Sequence, residues 1–574
     1  MKQRLRTLGA HGRSSILFGL CASVILSASL GGCHADPDDV AGQAGELSDP
    51  VRRQNAITNI QRVYTNTLAD HDGDRANAAV KAIADASVER LTQTYIDHPE
   101  DSQNGLAIMQ LLSEMRDPRS LPALFEALNW RMEVNEEHAI LAAKTIQYMD
   151  VPADKQAETI TKIAQALEKV TGSRGDDNRM RIAYLRALGA LKNPAAIPAL
   201  TRVMLAQEEA QPFLINRMAA QKLGEFADAS VVPSMIKALY LFAPNNPAMR
   251  MNDVAAEALV RIGRPSLQPL LALLRGENEE ANAIVTQYIE AVRARDAHAA
   301  DQMSVPAMIS GEATFALGAL GLAESFQPLV LETQNDDWKR KASAAVALVR
   351  LNLPDAQGAQ LREVLKRVYG EMPEGFEGAA ARAQLIAAMR HLYDAGMLPF
   401  FLAQANDRDQ HPQVRLEAVT AYAMLANKAE ARTLRQFIAS EPVSEDGGYR
   451  ESFAQNEPVL AAADACDEDI ACWIGKLGDA DKQIVTKATY MVGRFGVDNA
   501  EVIAALVSKL DHREIEVRLA SVSALDHVAT QGDQAAIDKI EHLRETEEGR
   551  AVWGQFSKEA LPIEARLRAR LGSR

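Results

Sequence analysis

A short proline-led apolar motif recurs along this chain, and a recurring motif limits the possible folds more than any single residue does. It reads LPALFEAL from Leu121, IPALTRVM from Ile197 and VPSMIKAL from Val232, then QPLLALLR from Gln268, QPLVLETQ from Gln327 and LPFFLAQA from Leu398. The prolines Pro122, Pro198, Pro233, Pro269, Pro328 and Pro399 are separated by 76, 35, 36, 59 and 71 residues. All but the interval of 59 are one or two periods of about 35–38 residues. Proline fits the first turn of a helix, where its missing N–H had no partner, and the leucines three and four places on then line one face.

Each motif is followed by an alanine-rich segment of helical period: RMAAQKLGEFA from Arg217, VRLEAVTAYAMLA from Val414 and VRLASVSALDHVA from Val517. In the last, Val517, Ala520, Ala524 and Leu525 fall on one helical stripe, and alanine lets neighbouring helices approach closely. A length of 574 residues by itself suggests several domains, but the repeats point to an array of helix pairs. Apolar residues make up 47% and aromatics 5%, so the core is built from small and aliphatic side chains. No stretch alternates as a β-strand does. The expected fold is all-α, an α-solenoid of stacked helix pairs.

The turns carry a second signature. KLDHREIEVRLASVSAL places Asp511, Val517, Arg518 and Leu525 in the pattern of an acidic turn followed by V-R-x-x-A; DRDQHPQVRLEAVTAY does so with Asp409, Val414 and Arg415. NDDWKRKASAAVALVRL matches loosely with Arg340, and DADKQIVTKATYMVGRFG departs, with Thr486 in the arginine position. In these motifs the chain resembles HEAT-repeat proteins, specifically the short repeats of phycobilisome-lyase-like proteins. The resemblance implies a side-chain ladder in which Arg340, Arg415 and Arg518 bond turn carbonyls and aspartates such as Asp409 and Asp511. Bilin lyases belong to that wider family, but no lyase site is matched here residue by residue. The array is expected over residues 102–546, preceded by capping helices at 51–101. Residues 276–305 explain the interval of 59 as an inserted long helix or extra pair. Residues 547–574 form a C-terminal capping helix, whose four arginines in SKEALPIEARLRARLGSR suit a polar outer face.

The N-terminus has the form of an export signal. Lys2, Arg4, Arg6 and Arg13 precede the apolar run ILFGLCASVILSASL, too short for a membrane span of about 20 residues. It ends in Leu30-Gly31-Gly32-Cys33, which resembles the lipobox of bacterial lipoproteins. The resemblance implies a signal peptide at 1–32 and lipid attachment at Cys33. With His34 rather than aspartate next, it also implies an outer-membrane lipoprotein facing the periplasm. Residues 33–50, short-chained and acidic, read as a flexible tether. The chain carries a net charge of −15, and loss of the four basic leader residues leaves −19, which argues against nucleic acid as a partner.

Cys466 and Cys472 flank the inter-repeat turn DEDIA. On one continuous helix they would rise about 9 Å apart, beyond the ~7 Å reach of a disulfide, whereas a turn brings them into range. In an exported protein a disulfide is the default, with reduced thiols or a metal or redox pair as alternatives. No histidine lies within 35 residues of either cysteine, and the neighbouring Asp464, Asp467, Glu468 and Asp469 are poor company for thiolates around zinc.

Catalytic motifs are absent: no H-E-x-x-H, G-x-S-x-G or G-x-x-x-x-G-K-[ST] occurs. DHDGDRANA departs from a calcium loop at Arg75 and Lys81. Asp526-His527 reads as a solvated or half-buried pair on a helix. The expectation is a non-enzymatic, cofactor-free scaffold or adaptor, tethered by its N-terminal lipid and binding a protein or peptide partner. Its alternatives are a structural subunit of an envelope complex and a small-ligand-binding solenoid.

Overall fold

The computed structural model describes residues 35–129, 136–207, 211–352, 357–548 and 555–572. The signal segment and Cys33 lie outside these residues. The chain divides into two compact units, one ending at Thr94 and one running from Tyr95 onward.

In the first unit, the helices Val40–Glu46 and Arg53–Asp70 pack together, and the second buries Ala56, Ile57, Ile60 and Tyr64 on one stripe. This corrects the expected tether at 33–50, because its described part is folded. Gln43 is buried, its Nε2 donating to the carbonyls of Ala35 at 2.9 Å and Asp36 at 3.1 Å, and Leu47 is 1% exposed. Arg53 Nε donates to Leu47 O at 2.8 Å. A buried glutamine and leucine inside an otherwise acidic segment supply the anchor that composition alone did not reveal.

In the second unit each proline-led motif forms a first helix. A short 3₁₀ turn precedes it, and in four repeats an acidic or amide side chain caps that turn. Asp117, Asn193, Asp228 and Asp394 accept from the backbone N–H two residues on. Just before the cap the chain stops the preceding helix with a left-handed residue, which is Arg116, Lys192, Ala227 or Tyr393 at φ of 46–54°. The repeat is therefore a helix stop, an Asx turn and a proline start in succession.

The alanine-rich second helices stack side by side in a row. We label them α1 (Ser102–Met115), α2 (Glu137–Tyr148), α3 (Gly175–Ala190), α4 (Phe213–Phe226), α5 (Asn252–Ile262), α6 (Val305–Leu320), α7 (Trp338–Arg350), α8 (Phe376–Met389), α9 (Pro412–Leu425), α10 (Lys482–Phe495), α11 (Ile515–Val528) and α12 (Gln555–Gly572). Each packs on the next, giving the α-solenoid. Small residues set the spacing: a Cβ on Gly318 of α6 would lie 2.9 Å from the Cα of Ala347 in α7.

Three interruptions break the period. A small antiparallel hairpin, Phe242–Ala243 with Asn246–Arg250, precedes α5. Residues 276–305 hold the helices Glu279–Arg293 and Ala297–Asp301, the first burying Ala281, Ile284, Val285 and Tyr288. Between α9 and α10 come Lys428–Ser440, Arg450–Ala454, Glu457–Cys466 and Ile470–Lys476.

The row does not stay open. α12 packs on α11 and also against α5 and α6, so the helices α5 to α12 close into a ring. Arg566 Nη1 donates to Ala319 O of α6 at 2.9 Å, and Asn352 Nδ2, just past α7, donates to Asp526 O of α11 at 2.9 Å. Arg544, 4% exposed, bridges Glu257 of α5 at 2.8 Å and Glu564 of α12 at 2.7 Å. The polar outer face expected of the C-terminal capping helix is therefore corrected. Arg566 and Arg570 turn inward to Asp526, while Arg568 alone of the three pairs at the surface, with Glu541.

Candidate functional site

The arginines of the repeat signature are structural anchors. Arg415, 3% exposed, donates from Nε to Ala405 O at 2.8 Å and from Nη2 to Glu441 Oε2 at 2.8 Å. Arg340 grips Glu332 with two bonds of 2.6 and 2.9 Å, and Arg518 Nη1 donates to the turn carbonyls of His512 and Arg513. The aspartates are not the acidic rungs. Asp409 is exposed, and Asp511 pairs with Lys539 at 2.6 Å. Glutamates at helix ends reach the buried guanidinium, whereas aspartates on exposed turns do not.

Where Thr486 replaces the expected arginine, the next residue supplies a buried donor, to carbonyls at the end of α9. Lys487 is fully buried and donates from Nζ to Ala423 O at 2.8 Å, to Met424 O at 3.2 Å and to Ala426 O. Burial, aided by the Arg494 charge, holds its ammonium well below the usual lysine value. Cys466 and Cys472 stand with Cα atoms 5.3 Å apart and their sulfurs bonded, across the turn between Glu457–Cys466 and Ile470–Lys476.

The ring holds an open-mouthed cavity of about 430 Å³, walled by α6, α7, α8, α10, α11 and α12. One wall is apolar, with Phe315, Val346, Ala388, Leu519 and Ile563. The floor is polar and assembled from three distant stretches. Tyr393 sits at the left-handed stop after α8 at φ 54°, a strained position for an aromatic residue. Its ring occupies space left by Gly493 of α10, where a Cβ would fall 2.5 Å from the ring. Tyr393 OH donates to Ser523 Oγ at 3.1 Å, and His391 Nδ1 lies 2.9 Å from the same oxygen. The other imidazole nitrogen lies 3.3 Å from Tyr490 OH.

Burial, with the Arg390 and Arg350 charges adding to it, pushes His391 down to about 3, so the imidazole is neutral at pH 7. Asp526, on the same wall, is buried and held by Arg566 with bonds of 2.7 to 3.1 Å and by Arg570 at 3.0 Å. Burial pushes its carboxyl up, but those two guanidinium groups outweigh it and the net direction is down. Asp526 is therefore a closure residue rather than a solvated one. His527 stacks on Tyr393 with ring centres 4.7 Å apart.

The floor residues His391, Tyr490 and Ser523, and Tyr393 bonded behind them, carry no sequence motif. Ser523 is 132 residues from His391. The one local signal was Tyr393 itself, an aromatic residue in the stop position before a capped turn. Among the described residues no group of three or more metal-ligating side chains forms.

No protein-family model matches the chain, and no curated protein matches its sequence. Solved structures similar to it include one of Kap95p binding to RanGDP, at 12% identity over 93% of this chain and 79% of that one, with a TM-score of 0.37. Kap121p is similar at 10% identity over 93% and 73%, with a TM-score of 0.39. A structure concerning the interaction between cadherin and β-catenin is similar at 11% identity over 86% and 91%, with a TM-score of 0.30. Superpositions this loose carry no functional argument, and the α-solenoid assignment rests on the helix packing itself.

Proposed function

We propose that this chain is a non-enzymatic scaffold of the bacterial cell envelope, held to the membrane by a lipid on Cys33 and binding a protein or peptide along its open row. The observation that supports this reading is the contrast within the row. Among the described residues, the main packing partners of α1 to α4 are neighbours close in sequence, and α2, α3 and α4 each keep a stripe that is exposed or half-buried. On α2 the stripe is Leu141, Lys144 and Tyr148, on α3 it is Arg179, Ile182 and Arg186, and on α4 it includes Leu214 and Met218. Tyr148 is 60% exposed and Leu214 50%. Apolar side chains alternating with basic ones fit a partner segment that carries apolar residues and carboxylates.

A photo-crosslinking residue placed at Leu214 or Arg186 in cells of the source organism tests this. The expected result is one dominant adduct from these positions and none from Thr161, which is exposed on the first-helix layer. Absence of any adduct above background from the open row would sink the scaffold reading. Cys33→Ala is expected to move the protein out of the membrane fraction, and unchanged fractionation would remove the lipid anchor from the proposal.

A further inference from the structure

The ring of α5 to α12 has a second feature that the scaffold reading does not use. Its cavity of about 430 Å³ falls within the ~300–1,000 Å³ range of small-molecule sites. The walls divide the chemistry: an apolar side from α6, α7, α8 and α12 faces a polar floor.

The floor has a hydrogen-bond donor to spare. Tyr393, Ser523, His391 and Tyr490 form a chain with three links. Two tyrosines, one serine and one neutral imidazole carry four exchangeable protons between them. Three are consumed by the links, so one remains. If Ser523 donates to His391, the spare proton is on Tyr490; if His391 donates to Ser523, the spare is on Ser523. Both residues line the cavity. Arg390 also lines the cavity, with its Nη1 donating to Glu417 at 3.0 Å. A donor without an acceptor is costly where water is excluded, and an acceptor supplied by a ligand takes the spare proton.

The charges of the lining are balanced. Arg350 and Arg390 are the charges that act on His391, and both line the cavity. The other charged groups of the lining are Arg566, neutralised by Asp526, and the exposed Glu516 and Glu559. Arg350 pairs with Glu559 at 3.4 Å and lies over the Phe315 ring at 4.8 Å. With these charges matched, the spare proton selects a hydrogen-bond acceptor and the walls favour an apolar body.

We propose that this cavity is a binding site for a small amphipathic molecule whose polar end is a hydrogen-bond acceptor such as a carboxylate, its acceptor oxygens on Tyr490 and Ser523 and its hydrocarbon or aromatic body against Phe315, Val346 and Leu519. The site is separate from the open row, so its failure and the failure of the scaffold reading are independent.

The test is calorimetric titration of the full chain with phenylbutyrate and with decanoate, alongside the matched amides and amines. Saturable one-site binding of at least one carboxylate is expected, with the matched amine weaker by about tenfold or more. Tyr490→Phe and Ser523→Ala together remove both positions of the spare proton and are expected to weaken the carboxylate by about tenfold. Ala388→Trp fills the apolar side and is expected to abolish binding. Each variant is melted in parallel. Should a variant unfold, competition on the unaltered protein, with decanoate displacing bound phenylbutyrate at a single site and the matched amine failing to do so, supplies the independent readout. Absence of saturable binding by both carboxylates, equal binding of the amines, or full binding to a folded Ala388→Trp variant would overturn the proposal.

Discussion

The open row α1 to α4 and the closed ring α5 to α12 are built from the same repeat, yet they hold together differently. In the open row the buried polar anchors are local: Arg181 donates to Val170 O at 2.7 Å, and Asn216 to Val203 O at 3.2 Å and Met204 O at 3.1 Å. Such a stack is stabilised by nearest neighbours and opens from its ends. In the ring, Asn352 reaches Asp526, Ala319 reaches Arg566 and Glu257 reaches Arg544, across 174, 247 and 287 residues. Closing such long loops costs entropy that grows only slowly with length, and the packing of α12 on α5 and α6 is set against it. Closure also converts a surface into an interior, which is why the cavity and the strongly shifted His391 both occur there. An open stretch of repeats presents a face, whereas a closed one makes a site.

The largest effect that breaks this contrast is expected from Asp526→Ala. It leaves Arg566 and Arg570 buried without their carboxylate, a loss of about 3–5 kcal/mol by denaturant unfolding. Hydrogen exchange is expected to rise in α11, α12 and the facing ends of α5 and α6. A uniform rise through α1 to α4 would show that ring and row unfold as one.

Acid gives each region its own window. His391 is pushed to about 3 and His138, in α2, to about 4, burial being the main cause of both. Both are neutral in the native protein. Below roughly pH 6.5 the unfolded chain takes up protons that the native one does not, so stability falls with pH, down to about 3 in the ring and about 4 in the open row. Asp526 adds to the ring's loss further down. Its depressed carboxyl contributes stability above the unfolded value of about 3.9, lost as pH falls through its folded value. His391→Gln is expected to flatten the acid dependence of exchange in α8 and α11 and leave α2 unchanged.

Arg181→Ala supplies the local counterpart in the open row. A loss of about 1–3 kcal/mol is expected, with faster exchange confined to α3 and the adjoining helix Ala153–Glu168. The Cys466–Cys472 bond closes only a short loop, so its reduction is expected to cost about 2 kcal/mol, read as a lower unfolding midpoint for the reduced than for the oxidised protein. The smallest effect is expected at Asp511→Asn. Its pair with Lys539 is 58% exposed on the aspartate side, and a change of about 0–1 kcal/mol should leave both regions intact.

Much of this was legible because it is local. A proline start, an alanine-rich partner and an acidic turn determine a helix pair within one period, and Pro122, Pro198 and Pro233 each open a first helix. The turn between Cys466 and Cys472 was readable for the same reason. Less local features were misplaced. The acidic rung of the ladder is Glu441 or Glu332 rather than Asp409 or Asp511, since side-chain length and burial decide who reaches a guanidinium. Thr486 is a gap in the pattern, and the adjacent Lys487 is a buried donor to carbonyls at the end of α9 instead.

The sequence by itself determined the helix pair, its period, the small-residue packing and the all-α class, because these follow from backbone chemistry and hydrophobic pattern within some 35–40 residues. Only the tertiary structure decided that α12 returns to α5 and α6, that its arginines face inward, and that His391, Tyr393, Tyr490 and Ser523 meet around a cavity. The physical reason is accumulation. The small rotation between neighbouring pairs is set by side-chain packing at each interface, and only its sum over eight helices decides whether the row remains open or closes on itself.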